Sequence, residues 1–175
     1  MPYASRAKPA SRPLDPASLR ALALNYVGRY ATTKHKLEKY LNRKVQERSW
    51  DGDVPADFVK LAEEFSELGY VNDESFAQSR TSSLLRRGYG AARVRADLQI
   101  AGIARECIAE HTTLDPDVRL KAAHAFARRK RWRAFANDDA GKKSRNRALT
   151  AMLRAGHDYE TSRRIIEGLD APDEG

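Results

Sequence analysis

The sequence contains a single cysteine, Cys107, among 175 residues. A lone cysteine excludes an intrachain disulfide framework and a paired-cysteine metal knuckle, and it suits a reducing compartment. No apolar run approaches the roughly 18 residues that a membrane span requires, and the N-terminus lacks an apolar segment of signal-peptide type. We therefore expect a cytoplasmic protein that does not contact a membrane.

Proline is scarce beyond the N-terminus, since four of the seven prolines lie within residues 1–16. Alternation of apolar and polar residues with a period of two is also missing, which argues against strands. Apolar residues instead recur at helical spacing. The clearest stripes run from Leu19 to Tyr30, from Phe58 to Leu68 and from Val118 to Trp132. These patterns predict an all-α fold of about nine helices with no sheet.

Two identical tripeptides indicate an internal repeat. Leu14-Asp15-Pro16 and Leu114-Asp115-Pro116 each combine a staple leucine, an aspartate N-cap and a proline at the first helical position. Val71-Asn72-Asp73 fits the same role between them. Three tandem three-helix repeats are predicted, each too small for an independent core and stacked on its neighbours into an elongated, curved array.

The predicted boundaries follow from these starts. The repeats cover 14–70, 71–113 and 114–169. Residues 1–13 are predicted to form a disordered tail and residues 170–175 an acidic tail, because neither buries enough apolar area to become ordered.

The net charge of +8 is confined to one segment. Residues 119–147 hold eleven basic and two acidic side chains, a local charge of +9, so the rest of the chain is nearly neutral. Such a field attracts polyanions, although a lysine- and arginine-rich helix can also be only a solvated face. The candidate residues for binding DNA or another polyanion are Lys121, Arg128, Arg131, Lys142, Lys143 and Arg147.

The chain shows no pattern of catalytic or metal-ligating residues. Its four histidines are scattered, with no spacing typical of a metal site, and each is expected at the surface or at a helix end. Cys107 falls on a predicted apolar helix face, where a thiol usually acts as a small buried hydrophobe. We therefore predict a protein that is not an enzyme and has no cofactor and no metal.

The most informative stretch is 69–77, Gly-Tyr-Val-Asn-Asp-Glu-Ser-Phe-Ala. A glycine ends one helix, Asn72 or Asp73 caps the next, and Phe76 is its first core anchor. A tight corner at 88–90 then leads into another helix. The motif residues are Gly69, Tyr70, Asn72, Asp73, Phe76, Gly88, Gly90, Leu98 and Gly102.

Residues 69–103 resemble the RecX family, bacterial regulators of the RecA recombinase. The family pattern is Gly-Tyr-Leu-Asp-Asp-x-x-Phe-Ala, then a Gly-x-Gly-Pro corner, then a helix ending in Leu-x-x-x-Gly-Ile. Asn72 replaces the usual aspartate and preserves N-capping, while Ala91 replaces the usual proline.

The resemblance implies a monomeric modulator that binds the RecA filament and inhibits its ATPase, strand-exchange and coprotease activities in recombination and the SOS response. It also implies secondary contact with single- or double-stranded DNA. The candidate residues for the RecA contact are Arg86, Arg87, Tyr89, Arg93 and Arg95. The alternative is a stand-alone helical nucleic-acid-binding protein that uses the basic third repeat.

Overall fold

The computed structural model describes residues 12–132 and 139–168. This part of the chain forms nine helices: α1 Pro16–Val27, α2 Lys34–Arg48, α3 Phe58–Glu67, α4 Asp73–Arg86, α5 Ala91–Ile100, α6 Arg105–Thr112, α7 Pro116–Arg129, α8 Asp139–Arg154 and α9 Tyr159–Glu167. Within the same residues the β structure is one isolated bridge between Leu14 and Trp50. The predicted all-α fold without a sheet is confirmed.

The two repeated tripeptides start helices as predicted. Asp15 accepts the backbone N–H of Ser18 at 2.7 Å, ahead of α1. Asp115 accepts the backbone N–H of Asp117 at 2.9 Å, ahead of α7. In both helices a proline occupies the first helical position, where its missing N–H costs nothing.

The aspartate at the start of α4 has a role that its local sequence does not reveal. Because α4 begins at Asp73, Asn72 occupies the N-cap position. The Asp73 carboxylate accepts the backbone N–H of Lys34 at 3.0 Å and so satisfies an amide at the N-terminus of α2.

Glycines in the left-handed region end several helices, as predicted for Gly69. The φ angles are 78° at Gly69, 81° at Gly88, 76° at Gly102 and 92° at Gly156. In each case the following residue donates its N–H back to a carbonyl in the last helical turn, for example Tyr70 to Phe65 at 2.9 Å. This is the Schellman arrangement, which glycine adopts without a Cβ penalty.

The chain divides into two compact units, one ending at Asp73 and one beginning at Glu74. Among its described residues, the first unit contains α1 to α3 around a single hydrophobic cluster. Its buried members are Leu14, Leu19, Ala23, Leu37, Leu41, Ala62, Phe65 and Val71. The division into three repeats stays a prediction.

The second unit contains two hydrophobic clusters among its described residues. One is built mainly on α4 to α6 and includes Leu84, Val94 and Leu98. The other is built on α7 and α8 and includes Phe126 and Met152. Tyr89 packs against both clusters, so this side chain links the second and third predicted repeats.

Several predicted core positions are less buried than their spacing suggests. Phe76 is half-buried and packs against its cluster from the first turn of α4, at the edge rather than the centre. Val118 is 37% exposed, because the buried arc of α7 runs through Ala122, Ala123 and Phe126 and leaves Val118 at its border. Cys107 is also half-buried: it packs against the edge of the same cluster as Phe76, and its thiol contacts the carboxylate of Glu74.

Most of the predicted tails, namely 1–11 and 170–175, lies outside the described residues. Of the N-terminal tail, Arg12 and Pro13 are described and exposed. The guanidinium of Arg48 donates two hydrogen bonds to the Arg12 carbonyl, at 3.0 and 2.9 Å. The end of the predicted tail is therefore attached to α2.

None of the described helices combines the length and the apolar character that crossing a bilayer would demand.

Candidate functional site

Tyr89 lies in the corner between α4 and α5, and cationic side chains surround its ring. The guanidinium carbons of Arg129, Arg87 and Arg93 are 5.1, 5.5 and 5.9 Å from the ring centroid. Contacts of this kind stabilise by about 0.5–1 kcal/mol each when exposed. Three guanidinium groups from separate parts of the chain therefore lie around one aromatic ring.

Arg129 is fixed in place by its neighbours. Its guanidinium lies 5.1 Å from the Tyr89 ring centroid and 5.2 Å from that of Phe126, and it donates a hydrogen bond to the carbonyl of Arg87. The Arg129 side chain therefore covers part of the surface of these two rings. The remaining donors of the guanidinium stay accessible because the residue is exposed.

A groove with a volume of about 660 Å³ opens beside these side chains. Phe126 and Tyr89 supply its aromatic surface, and α8 forms the opposite wall. The polar and charged lining residues are Arg129, Lys130, Asn146, Arg147, Thr150 and Arg154.

The described walls of the groove carry cations and no carboxylate. The four lining cations are Arg129, Lys130, Arg147 and Arg154, each of them exposed. Like charges this close repel one another, so a bound polyanion or acidic segment offsets an existing repulsion as well as forming new contacts. Aromatic rings beside arginines also suit stacking with nucleic-acid bases.

The groove depends on a close approach of two backbone segments. Gly90 donates its N–H to the carbonyl of Ala155 at 2.9 Å, and Ala92 donates to that of Gly156 at 3.1 Å. A Cβ added at Gly90 would lie 2.2 Å from the carbonyl oxygen of Gly156. Glycine at position 90 therefore permits the corner that carries Tyr89 to contact the α8–α9 joint.

His157 closes this contact from the inside: it lies at the end of α8, one of the two places predicted for the histidines, and it is buried in the α8–α9 joint. Its Nε2 lies 3.0 Å from the carbonyl of Gly88, so Nε2 carries the proton and donates it. Burial lowers the pKa of His157, and the bond to Gly88 only partly opposes that effect.

The lowered pKa of His157 predicts that acid destabilises the second unit. As the pH falls below about 6.5, the unfolded state takes up a proton that the folded state resists, so the free energy of unfolding decreases. His157→Gln keeps an amide donor for the Gly88 carbonyl and removes the titration. Urea unfolding at pH 5, 6 and 7 should give a flatter pH dependence for the variant. Parallel curves for the two proteins would contradict this assignment.

The structure brings together some of the residues predicted for the RecA contact. Tyr89 lines the groove, and Arg87 and Arg93 flank its ring. Arg86 is exposed in the last turn of α4 and does not line the groove. Arg95 lies in a different cavity of about 430 Å³ beside Thr112, 3.4 Å from its hydroxyl.

Of the predicted polyanion-binding residues, Arg147 lines the groove. The others are exposed on α7 and α8 or at the end of α7, and they do not line it: Lys121, Arg128, Arg131, Lys142 and Lys143. Binding of a polyanion by Arg147 and by the five residues outside the groove stays a prediction.

Three groove residues are absent from the predicted sets, namely Arg129, Lys130 and Arg154. Arg154 lies beyond the basic segment 119–147, so the charge count did not include it. Helical spacing could have found it, because Arg147, Ala151 and Arg154 are at i, i+4 and i+7 on one face of α8.

A second groove, in the first unit, was not predicted either. Its volume is about 600 Å³, and Tyr26, Tyr30 and Tyr40 line it together with Arg29, Arg43 and Lys44. The rings of Tyr26 and Tyr40 are stacked at 4.1 Å, and the Arg43 guanidinium lies 5.8 Å from the Tyr40 centroid. The nearly neutral first part of the chain thus also presents an aromatic surface with basic side chains.

The fold defines a class of helical proteins that is known from crystal structures. The crystal structure of RecX from Lactobacillus salivarius matches with a TM-score of 0.63 at 19% identity, covering 88% of this chain and 96% of that one. A second crystal structure, of regulatory protein RecX, matches with a TM-score of 0.60 at 20% identity, covering 85% of this chain and 72% of that one.

Sequence comparison identifies the family. A family model described as RecX, second three-helix domain, matches residues 72–111. Regulatory protein RecX of Myxococcus xanthus is 30% identical over 173 residues, covering 91% of this chain and 90% of the relative. Regulatory protein RecX of Chromohalobacter salexigens is 31% identical over 118 residues, covering 66% and 73%. The chain belongs to the RecX family of regulatory proteins.

Proposed function

We propose that the protein binds the RecA filament and modulates its ATPase, strand-exchange and coprotease activities, mainly by inhibition, in recombination and the SOS response. The observation that carries this proposal is the groove in which Tyr89 and Phe126 lie among Arg129, Lys130, Arg147 and Arg154. Family membership supports the same partner. We further propose that it acts as a cytoplasmic monomer without a catalytic site.

The chemistry of the groove supports a polyanionic filament as the partner. DNA held in a protein filament offers phosphates, and the protein subunits offer carboxylates, both of which pair with arginine. Each of the two units carries a groove that combines aromatic rings with cations. Two grooves of similar chemistry suit a partner whose own surface repeats along its length.

The direct test measures RecA activity on single-stranded DNA. The purified protein is added at increasing ratios to RecA, and ATP hydrolysis and strand exchange are followed. We expect both to decrease at stoichiometric or lower ratios. Unchanged rates at a molar excess would overturn the proposal.

The groove variant Arg129→Ala, Arg147→Ala, Arg154→Ala should weaken inhibition by about tenfold or more, because three cations facing one partner are removed. The matched control is Lys121→Ala, Arg128→Ala, Lys143→Ala, which removes the same charge from exposed residues outside the groove. Inhibition is titrated at two salt concentrations, with circular dichroism to confirm folding. An equal loss of inhibition in both variants would show that the net charge of the protein, and not the groove, determines inhibition.

The same groove favours a second candidate, direct binding of nucleic acid without RecA, because arginines beside aromatic rings accept stacked bases and phosphates. Titration of single- and double-stranded DNA alone separates the two functions. Tight binding that persists at moderate salt would favour the stand-alone role. Weak binding that is lost with salt fits an auxiliary contact within a filament complex.

A further inference from the structure

Three side chains with different donor atoms meet away from the groove, on α4 and α6. Cys107 and His111 are four residues apart on α6 and therefore share one face of the helix. Glu74 lies in the first turn of α4. Each of the three side chains offers one donor atom, and these atoms all lie within 4.8 Å of one another. They are the thiol sulfur, a ring nitrogen and a carboxylate oxygen.

The carboxylate of Glu74 connects the other two groups. Its Oε2 accepts a hydrogen bond from the Cys107 thiol at 3.1 Å, and its Oε1 lies 2.8 Å from Nε2 of His111. Tetrahedral zinc with bonds of about 2.0–2.3 Å separates its ligand atoms by about 3.2–3.8 Å. Small rotations of these side chains therefore bring all three donors to bonding distance from one ion.

The donor set selects the kind of ion. A thiolate with an imidazole and a carboxylate suits Zn²⁺, whereas Mg²⁺ and Ca²⁺ prefer oxygen ligands alone. The Glu74 side chain is 61% exposed, which leaves a path for the ion and room for water at a fourth position.

We propose that Glu74, Cys107 and His111 bind one Zn²⁺ ion, with water as the fourth ligand. On binding, the S–H bond of Cys107 breaks, its proton passes to solvent, and a Zn–S bond forms. The ion joins the start of α4 to α6 and thereby stabilises the hydrophobic cluster that is built on α4 to α6.

Titration of the full chain with Co²⁺, a spectroscopic substitute for Zn²⁺, tests the site. We expect one equivalent to bind with a thiolate-to-cobalt absorption band in the near ultraviolet, and Zn²⁺ to displace it. Zn²⁺ should also raise the melting temperature, by an amount that increases with the logarithm of its free concentration above the dissociation constant. The absence of the band at a tenfold excess of Co²⁺ would overturn the proposal.

Substitutions identify the ligands. Cys107→Ser should abolish the band, and Glu74→Gln and His111→Asn should each weaken binding at least tenfold. The matched controls are Glu106→Gln, an exposed carboxylate on the same helix, and His35→Asn in the first unit, which should leave binding unchanged. If Cys107→Ser fails to fold, Glu74→Gln decides alone, because its exposed carboxylate is outside the core. An unchanged affinity in Glu74→Gln, or a loss in the controls, would contradict the assigned ligands.

Discussion

Gly88→Ala should lower the free energy of unfolding by about 2–5 kcal/mol. The φ angle at Gly88 is 81°, in the left-handed region, where a Cβ costs about 1–2 kcal/mol. The added Cβ would also lie 2.5 Å from the backbone nitrogen of Phe126 and 2.8 Å from its Cα. Backbone atoms cannot rotate away as a side chain can, so α7 must shift, and such overpacking costs about 1–3 kcal/mol more.

Gly69→Ala is the matched control for this substitution. The φ angle at Gly69 is 78°, nearly the same, but an added Cβ there meets no atom within 4 Å. We expect a loss of only about 1–2 kcal/mol, from backbone strain alone. Urea unfolding of both variants measures the difference, which isolates the contact between the corner and α7. Equal losses would show that α7 does not pack against Gly88.

Local signals in the sequence were sufficient to predict the helices and several of their caps, but the apolar stripes that reach Tyr30 and Trp132 extend beyond α1 and α7, which end at Val27 and Arg129. Asp15 before a proline, or Gly69 after an apolar stripe, specifies a cap through atoms only a few residues away. The hydrogen bond from the backbone of Lys34 to Asp73 could not be predicted in this way, because its partners are far apart in the sequence. Periodicity likewise gave the apolar face of α7 but misplaced its border at Val118.

The candidate site was predicted only in parts. Tyr89 and Arg147 were singled out separately, one from a motif and the other from a charge count. They line one groove because Gly88, Gly90 and Gly156 let two backbone segments approach closely, and the sequence does not state which segments meet. Both Arg128 and Arg129 are exposed, and charge counting cannot show that only the guanidinium of Arg129 lies over the rings of Tyr89 and Phe126.

Phe126→Ala should have the largest effect of any single core substitution considered, a loss of about 3–5 kcal/mol in the free energy of unfolding. Phe126 is 4% exposed, and its ring lies edge-on to Trp132 at 5.6 Å and to His157 at 5.8 Å. Truncation leaves a cavity beneath the groove and removes the apolar support of Arg129. This loss is a large part of the 5–15 kcal/mol that typically stabilises a domain.

Val118→Ala, on the same helix but 37% exposed, is the control and should cost less than about 1 kcal/mol. Phe126→Leu adds a variant that fills most of the cavity and is expected to remain folded. If the ring also positions Arg129, this variant should weaken the proposed inhibition of RecA even where circular dichroism shows a native helix content, because leucine offers no π face to the guanidinium. Full inhibition by folded Phe126→Leu would limit Phe126 to a packing role, and a loss below 1 kcal/mol in Phe126→Ala would contradict its place in the core.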